Sequence, residues 1–183
     1  LMLFTFSLFA NSKNENKVIY TYSKNVEGNI SESNWSIQKK DDKTWHIEGE
    51  SPGAKTLIIA SPTQINTQSF AFKSKVSPIE YTIDRFEKYL SISSLNNGKN
   101  FHKKLYLNGD TWVQEFDFSF KPFILSNHNE FRFSIVNPKK LNLHAMVAKK
   151  LGDSQLEIGG KKYLAQKVKV TLRGFKKMFW HAN

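Results

Sequence analysis

Lys167-Val168-Lys169-Val170-Thr171-Leu172-Arg173 is the stretch whose reading decides the fold. Val168, Val170 and Leu172 fall on one side of an extended chain. Lys167, Lys169, Thr171 and Arg173 fall on the other. Strict period-two alternation is what a half-buried β-strand requires, because successive side chains point to opposite faces. Just upstream, Leu156-Glu157-Ile158 and Lys161-Lys162-Tyr163-Leu164 flank Gly159-Gly160. A Gly-Gly pair supplies the positive φ angles of a two-residue hairpin turn. Gly174 marks the next break, and Lys176 to His181 reads as the start of another strand.

The same pattern runs back through the chain. Val18 to Tyr22, Lys55 to Ala60, Phe70 to Val76, Glu130 to Val136 and Leu141 to Lys150 read as strands. Ser33 to Lys39 and Thr44 to Glu48 read as a hairpin closed over residues 40–43. Asn96-Asn97-Gly98 and Asn108-Gly109 are hairpin-turn sequences. The second is flanked by Leu105-Tyr106-Leu107 and Thr111-Trp112-Val113, which predicts that those two runs pair. Ile79 to Ser93 fits a helix about as well as two strands. Phe116, Phe118 and Phe120 share a face if extended, and Pro122 breaks ladder bonding there. This gives roughly ten to twelve short strands and at most one short helix. The expected fold is all-β, a mainly antiparallel meander forming a barrel or curved half-barrel.

Leu1 to Phe9 is apolar and uncharged, and the chain turns polar at Asn11. Ala10 and Ser12 stand where the −3 and −1 residues of an export cleavage site would stand. Nine such residues are too few to span a bilayer, which takes about 20. The expectation is an export-signal remnant over 1–12 and one β-rich domain over 13–183, with the chain cut short at its C-terminus. A buried N-terminal strand or helix is the competing reading. The absence of cysteine excludes disulfides, thiolate metal sites and cysteine nucleophiles. A cysteine-free exported domain points to the periplasm or envelope of a bacterium.

The net charge of +11 is unevenly placed. From Lys139 onward there are eleven Lys or Arg and two acids, Asp153 and Glu157, so that quarter carries +9. Residues 13–138 carry only +2. Lys161, Lys162, Lys167, Lys169, Arg173, Lys176 and Lys177 form a candidate surface for anionic lipid or polysaccharide. Lysines that keep a strand soluble and discourage edge pairing would look the same. Nucleic acid would meet the charge, but export argues against it as the natural partner. With 15 Phe, 6 Tyr and 4 Trp, the chain is also rich in aromatics. Trp112, Phe116, Phe118, Phe120, Phe131 and Phe133 are candidates to line a ligand cavity, or else to fill a core.

Catalytic chemistry finds little footing. His46, His102, His128, His144 and His181 form no metal-ligand spacing. There is no G-x-S-x-G turn and no Gly-rich phosphate loop. Asp41-Asp42 lies in a turn, and the other acid pairs read as solvated strand faces. No catalytic residue, metal or cofactor is assigned, and the chain reads as a non-enzyme.

The run from Leu156 to Trp180 resembles the end of bacterial exported β-rich domains of unknown function. In those families a strand meander closes on a basic hairpin and a Trp-bearing strand. The shape this implies is an antiparallel barrel or half-barrel, distantly similar to the LolA-like periplasmic lipoprotein carriers. Those carriers hold acyl chains in an aromatic-lined concavity, and this chain lacks their several helices. The leading expectation is thus an envelope protein binding an apolar or amphipathic ligand, or a partner protein, in or on a curved sheet. The alternative is an interaction module using its basic face on anionic lipid or polysaccharide. A hydrolase of envelope polymer is the third reading.

Overall fold

In the computed structural model, residues 7–14, 17–26, 29–40, 44–61, 67–114, 119–137, 140–158 and 160–173 are described. Nine strands follow one another in sequence and pair with their neighbours: β1 (Ser7–Asn14), β2 (Lys17–Val26), β3 (Asn29–Lys39), β4 (Trp45–Glu50), β5 (Ala54–Ala60), β6 (Thr67–Ser74), β7 (Ile79–Arg85), β8 (Tyr89–Asn96) and β9 (Lys99–Tyr106). Every pairing in this first sheet is antiparallel. The meander is open, a curved half-barrel with β1 and β9 as its edges. A second sheet holds β10 (Thr111–Trp112), β11 (Glu130–Asn137), β12 (Asn142–Ile158) and β13 (Lys161–Leu172) in that order. Between β10 and β11 lies a short helix, α1 (Lys121–Leu125), with Pro122 in its first turn.

Register explains why the first sheet holds together. Ile37, Ile47, Ile58, Phe70, Ile83 and Ile92 stand directly opposite one another from β3 to β8. They form one apolar rib across the strands, and a slip of one residue would turn a strand's whole set outward. A second rib runs beside it through Trp35, Gly49, Thr56, Phe72 and Tyr81. Trp35 lies flat over Gly49, where a Cβ would sit 2.6 Å from its ring. Phe72 stacks on Tyr81 with ring centroids 5.1 Å apart. At β9 the first rib ends on Lys103, opposite Ile92. An inward-facing charge on an exposed edge strand hinders further pairing there.

The segment 79–93, which fits helix or strand by sequence, is the hairpin β7–β8. The turn at Asn97-Gly98 is as expected: both residues have positive φ, 50° and 76°, and Asn96 pairs with Lys99. The expected hairpin at Asn108-Gly109 is corrected. Gly109 does turn, at φ 79°. The chain then leaves the first sheet, and Thr111–Trp112 pairs in parallel with Phe133–Ser134. Gln114 supplies the physical reason. Its amide nitrogen donates to the Val136 carbonyl at 3.1 Å, and its amide oxygen accepts from Val136 N–H and from the Trp112 indole, each at 3.1 Å. The polar demand of a wholly buried indole is met beside β11, with no partner strand on β9 needed.

The second sheet is a middle layer. Trp112, Val136 and Leu143 pack against the inner face of the first sheet. Phe133, Met146, Ala148, Val168 and Val170 face the other way, onto Phe120 and Phe123 at the short helix. Lys150 fastens that helix by donating from Nζ to the Ser126 carbonyl, 5.2 Å from the Phe123 ring centroid. Residues 7–14, which start in the apolar opening stretch and run past it, form β1 and pair with β2 from Ser7 opposite Ser23 to Asn14 opposite Lys17.

Candidate functional site

The sequence nominates two sets of residues, and the fold treats them differently. Of the aromatic set, Trp112 and Phe133 are fully buried and Phe120 nearly so, while Phe131 is half-buried. Phe120 meets Phe131 and Phe133 edge-on at 6.1 and 5.3 Å, and Phe131 stacks on Phe133 at 5.6 Å. These rings fill space with one another and serve as core. Trp112 is split from the others, lying on the opposite side of the second sheet. Phe116 and Phe118 lie outside the described residues.

The basic set is built on the β12–β13 hairpin. β11 pairs with β12 only from Asn142 to Lys149. β12 and β13 go on pairing with each other to Ile158 opposite Lys161. From Leu151 outward, among the described residues, the two strands therefore run as a ribbon with no third strand beside them. Their extra length is roughly 25 Å at the usual rise per residue. The ribbon begins at a bulge: Lys150 opposes Val168, Gly152 opposes Lys167, and Leu151 is the extra residue. Gly152 has φ +105°, a conformation that side-chain-bearing residues rarely adopt. Bulges of this kind bend a strand and strengthen its twist.

Lys161, Lys162, Lys167 and Lys169 are all exposed along this hairpin. Arg173 is not part of that free set. Its guanidinium grips the Asp110 carboxylate through both nitrogens, one contact at 3.1 Å, and Asp110 is largely buried. The pair ties the end of β13 to the segment entering β10, a role that sequence spacing could not reveal across 63 residues. Lys176 and Lys177 lie outside the described residues. At the root of the ribbon, Glu130 receives Arg132 at 2.9 Å and Lys149 at 3.0 Å. Hydrogen bonds from Arg132 and then Lys149 hold its carboxyl below the usual carboxylate value.

The ribbon also carries apolar side chains in water. Leu164 is 78% exposed, Leu151 61% and Tyr163 49%. By sequence Tyr163 and Leu164 read as ordinary strand residues, because a strand pattern identifies two faces without saying what covers either, and Leu151 falls between two strand readings.

A second feature went unread in the sequence. The outward face of the first sheet has a groove of about 460 Å³, floored by Ser36, Leu57 and Ala71 and rimmed by Glu48, Glu50 and Lys73. Glu50 receives Lys75 at 2.7 Å and Lys55 at 3.4 Å, and Lys73 reaches Glu80 at 3.1 Å. Among the described residues no cluster of His, Asp and Glu could hold a metal ion, and no helix is long and apolar enough to cross a membrane.

No family model, curated protein or solved structure matches the chain. The functional reading therefore rests on its own geometry, that of an all-β protein with an open meander and a projecting basic ribbon.

Proposed function

We propose that this protein is a non-enzymatic, exported binding module of the bacterial envelope that meets an anionic surface through its β12–β13 ribbon. The observation that carries this is the ribbon itself. Three exposed lysines, Lys161, Lys162 and Lys167, stand on a two-stranded projection and Lys169 stands at its root, in the quarter of the chain that holds most of its charge. Each lysine brought to an anionic surface contributes about 1 kcal/mol, falling off within a Debye length. The test is co-sedimentation with anionic vesicles and with a soluble polyanion such as dextran sulfate. Reversing Lys161, Lys162, Lys167 and Lys169 to Glu should remove binding to both, and wild-type binding should weaken steeply with salt. Unchanged binding after charge reversal overturns the reading.

Export is part of the same proposal and has its own measurement. Cleavage after Ser12 would remove most of β1 and leave β2 as the edge. The intact mass of protein recovered from a secreting host reports this directly: a mature start at Lys13 supports export with cleavage, and an uncut N-terminus counts against it.

The groove on the first sheet favours a second reading, an amphipathic ligand held on the sheet. Its floor is apolar at Leu57 and Ala71, and its rim is charged. Mass spectrometry of organic extracts of the purified protein tests it, since such a ligand should co-purify with the wild type and be lost on Ala71→Arg.

A further inference from the structure

Lysine on a strand edge is explained by solubility alone. Leu151, Tyr163 and Leu164 are not. An isolated two-stranded ribbon is marginal in water, and this one has large apolar side chains exposed. Tyr163 and Leu164 are neighbours on one strand, so they stand on opposite faces, and folding one face back onto the body would not cover both. Lys161, Lys162 and Lys167 bracket them in sequence. Charge and apolar surface are thus interleaved over a single short projection.

We infer that the ribbon is seated in the headgroup layer of an anionic phospholipid bilayer, with Leu164 reaching the acyl boundary, Leu151 and Tyr163 in the headgroup layer, and the flanking lysines on lipid phosphates. This rests on the anionic-surface reading and sharpens it from any polyanion to a bilayer. Charge complementarity chooses the occupant: from Leu151 to Lys169 the hairpin sets Lys161, Lys162, Lys167 and Lys169 against Asp153 and Glu157, a net +2 over 19 residues, where residues 13–138 carry +2 over 126. The apolar residues choose a bilayer over a polysaccharide, because hydrated glycan offers nothing to bury them in. Long lysine stems lie along apolar surface while their ammonium groups stay at the phosphates, and tyrosine favours the same boundary. The depth is limited by the backbone. A ribbon with open edges cannot enter hydrocarbon, where unpaired N–H and C=O groups find no partner. The seat is therefore interfacial and does not span.

The cysteine-free chain allows a clean test. An environment-sensitive fluorophore is placed on Leu164→Cys in the full chain, with Val76→Cys, on the loop after β6, as the control; Val76 is 79% exposed. Vesicles containing phosphatidylglycerol should shift the Leu164→Cys emission to the blue and leave Val76→Cys unchanged. Neutral vesicles and dextran sulfate should shift neither. Replacing Leu151, Tyr163 and Leu164 by Ser should weaken partitioning to the anionic vesicles about tenfold or more, with binding to dextran sulfate retained and the urea midpoint unchanged. Binding to vesicles and dextran sulfate with no blue shift, or with no effect of the Ser variant, overturns the bilayer seat and leaves the anionic-surface reading standing. No binding to either overturns both. Capture of a protein by the ribbon with no affinity for vesicles would overturn the bilayer seat in favour of a protein partner.

Discussion

The rib of the first sheet and the β12–β13 ribbon are built from the same antiparallel strand pairing. At Ile47, Ile58, Ile83 and Ile92 the apolar residues of successive strands stand opposite one another, and each is buried to within about 1% of its surface. At Leu164 the same strand geometry leaves 78% of the side chain in water. Both stretches are extended antiparallel strands. They differ in what lies behind them: the rib has the second sheet and its Trp112, and the ribbon has outrun β11. Stability is concentrated where strand pairing meets a second layer, and binding surface where it does not.

The sharpest way to break that contrast is to truncate one residue from each region. Ile83→Ala should cost about 2–5 kcal/mol, through lost transfer energy and the cavity left in the buried cluster it shares with Phe70, Ile92 and Trp112. Leu164→Ala should lie within about 0.5 kcal/mol of wild type. Urea unfolding of both reads the difference. Equal losses would mean that the ribbon is packed in solution and the contrast is false.

A smaller effect isolates the second rib. Gly49→Ala places a Cβ 2.6 Å from the Trp35 ring, a clash with a rigid side chain, and should cost about 1–3 kcal/mol. Trp35→Leu in the same chain should recover part of that loss, since neighbours that clash couple strongly. If the two losses simply add, the ring does not bear on Gly49.

Most of the fold could be read from residues, and the exceptions have physical causes. Asn97-Gly98 has two-residue spacing and positive-φ residues, so its hairpin was legible. Asn108-Gly109 carries the same signal, yet the chain crosses to another sheet, because Gln114 provides local hydrogen bonds that compete with a return along β9. Turn chemistry fixes a local bend and leaves the destination to packing. The segment 79–93 was ambiguous because Tyr81, Ile83, Phe86, Tyr89 and Leu90 satisfy either period, and only the opposition of Ile83 to Phe70 and Ile92 decides it. At the candidate site Lys167 and Lys169 were legible as one strand's outward residues, with Lys161 and Lys162 at its end. The lock on Arg173 was not, since Asp110 is remote in sequence, and neither was the length of ribbon beyond β11.

Asp110→Ala sharpens the contrast at the joint between the two regions. It frees Arg173 and should cost about 1–2 kcal/mol, the loss of a charge-assisted pair that is only partly buried. Hydrogen exchange should speed up at the Arg173 amide, which donates to the Ala145 carbonyl at 2.8 Å, and near the end of β13, with the first sheet unchanged. Faster exchange across both sheets would show that the joint supports the whole molecule.

The smallest expected effect concerns surface charge and separates structural from binding lysines. Glu50 on the first sheet is held below the usual carboxylate value, first by its hydrogen bond from Lys75 and then by Lys55. Glu130 at the ribbon root is lowered in the same way, by Arg132 and then Lys149. A folded-state value below the unfolded one means stability that is present above the unfolded value and lost as pH falls through the folded one. Wild type should therefore be more stable than Glu50→Gln or Glu130→Gln at pH 6. The gap should close toward pH 3, and it should also close at pH 6 in about 1 M salt, because these carboxylates are exposed and screened. A gap that persists at pH 3 would assign the effect to packing of the side chain. Lys55, Lys75 and Lys149 are thus drawn to carboxylates of their own protein, whereas Lys161 and Lys162 stand at the far end of a projection from the body. That difference makes ribbon charge reversal a test of binding, with little effect on folding.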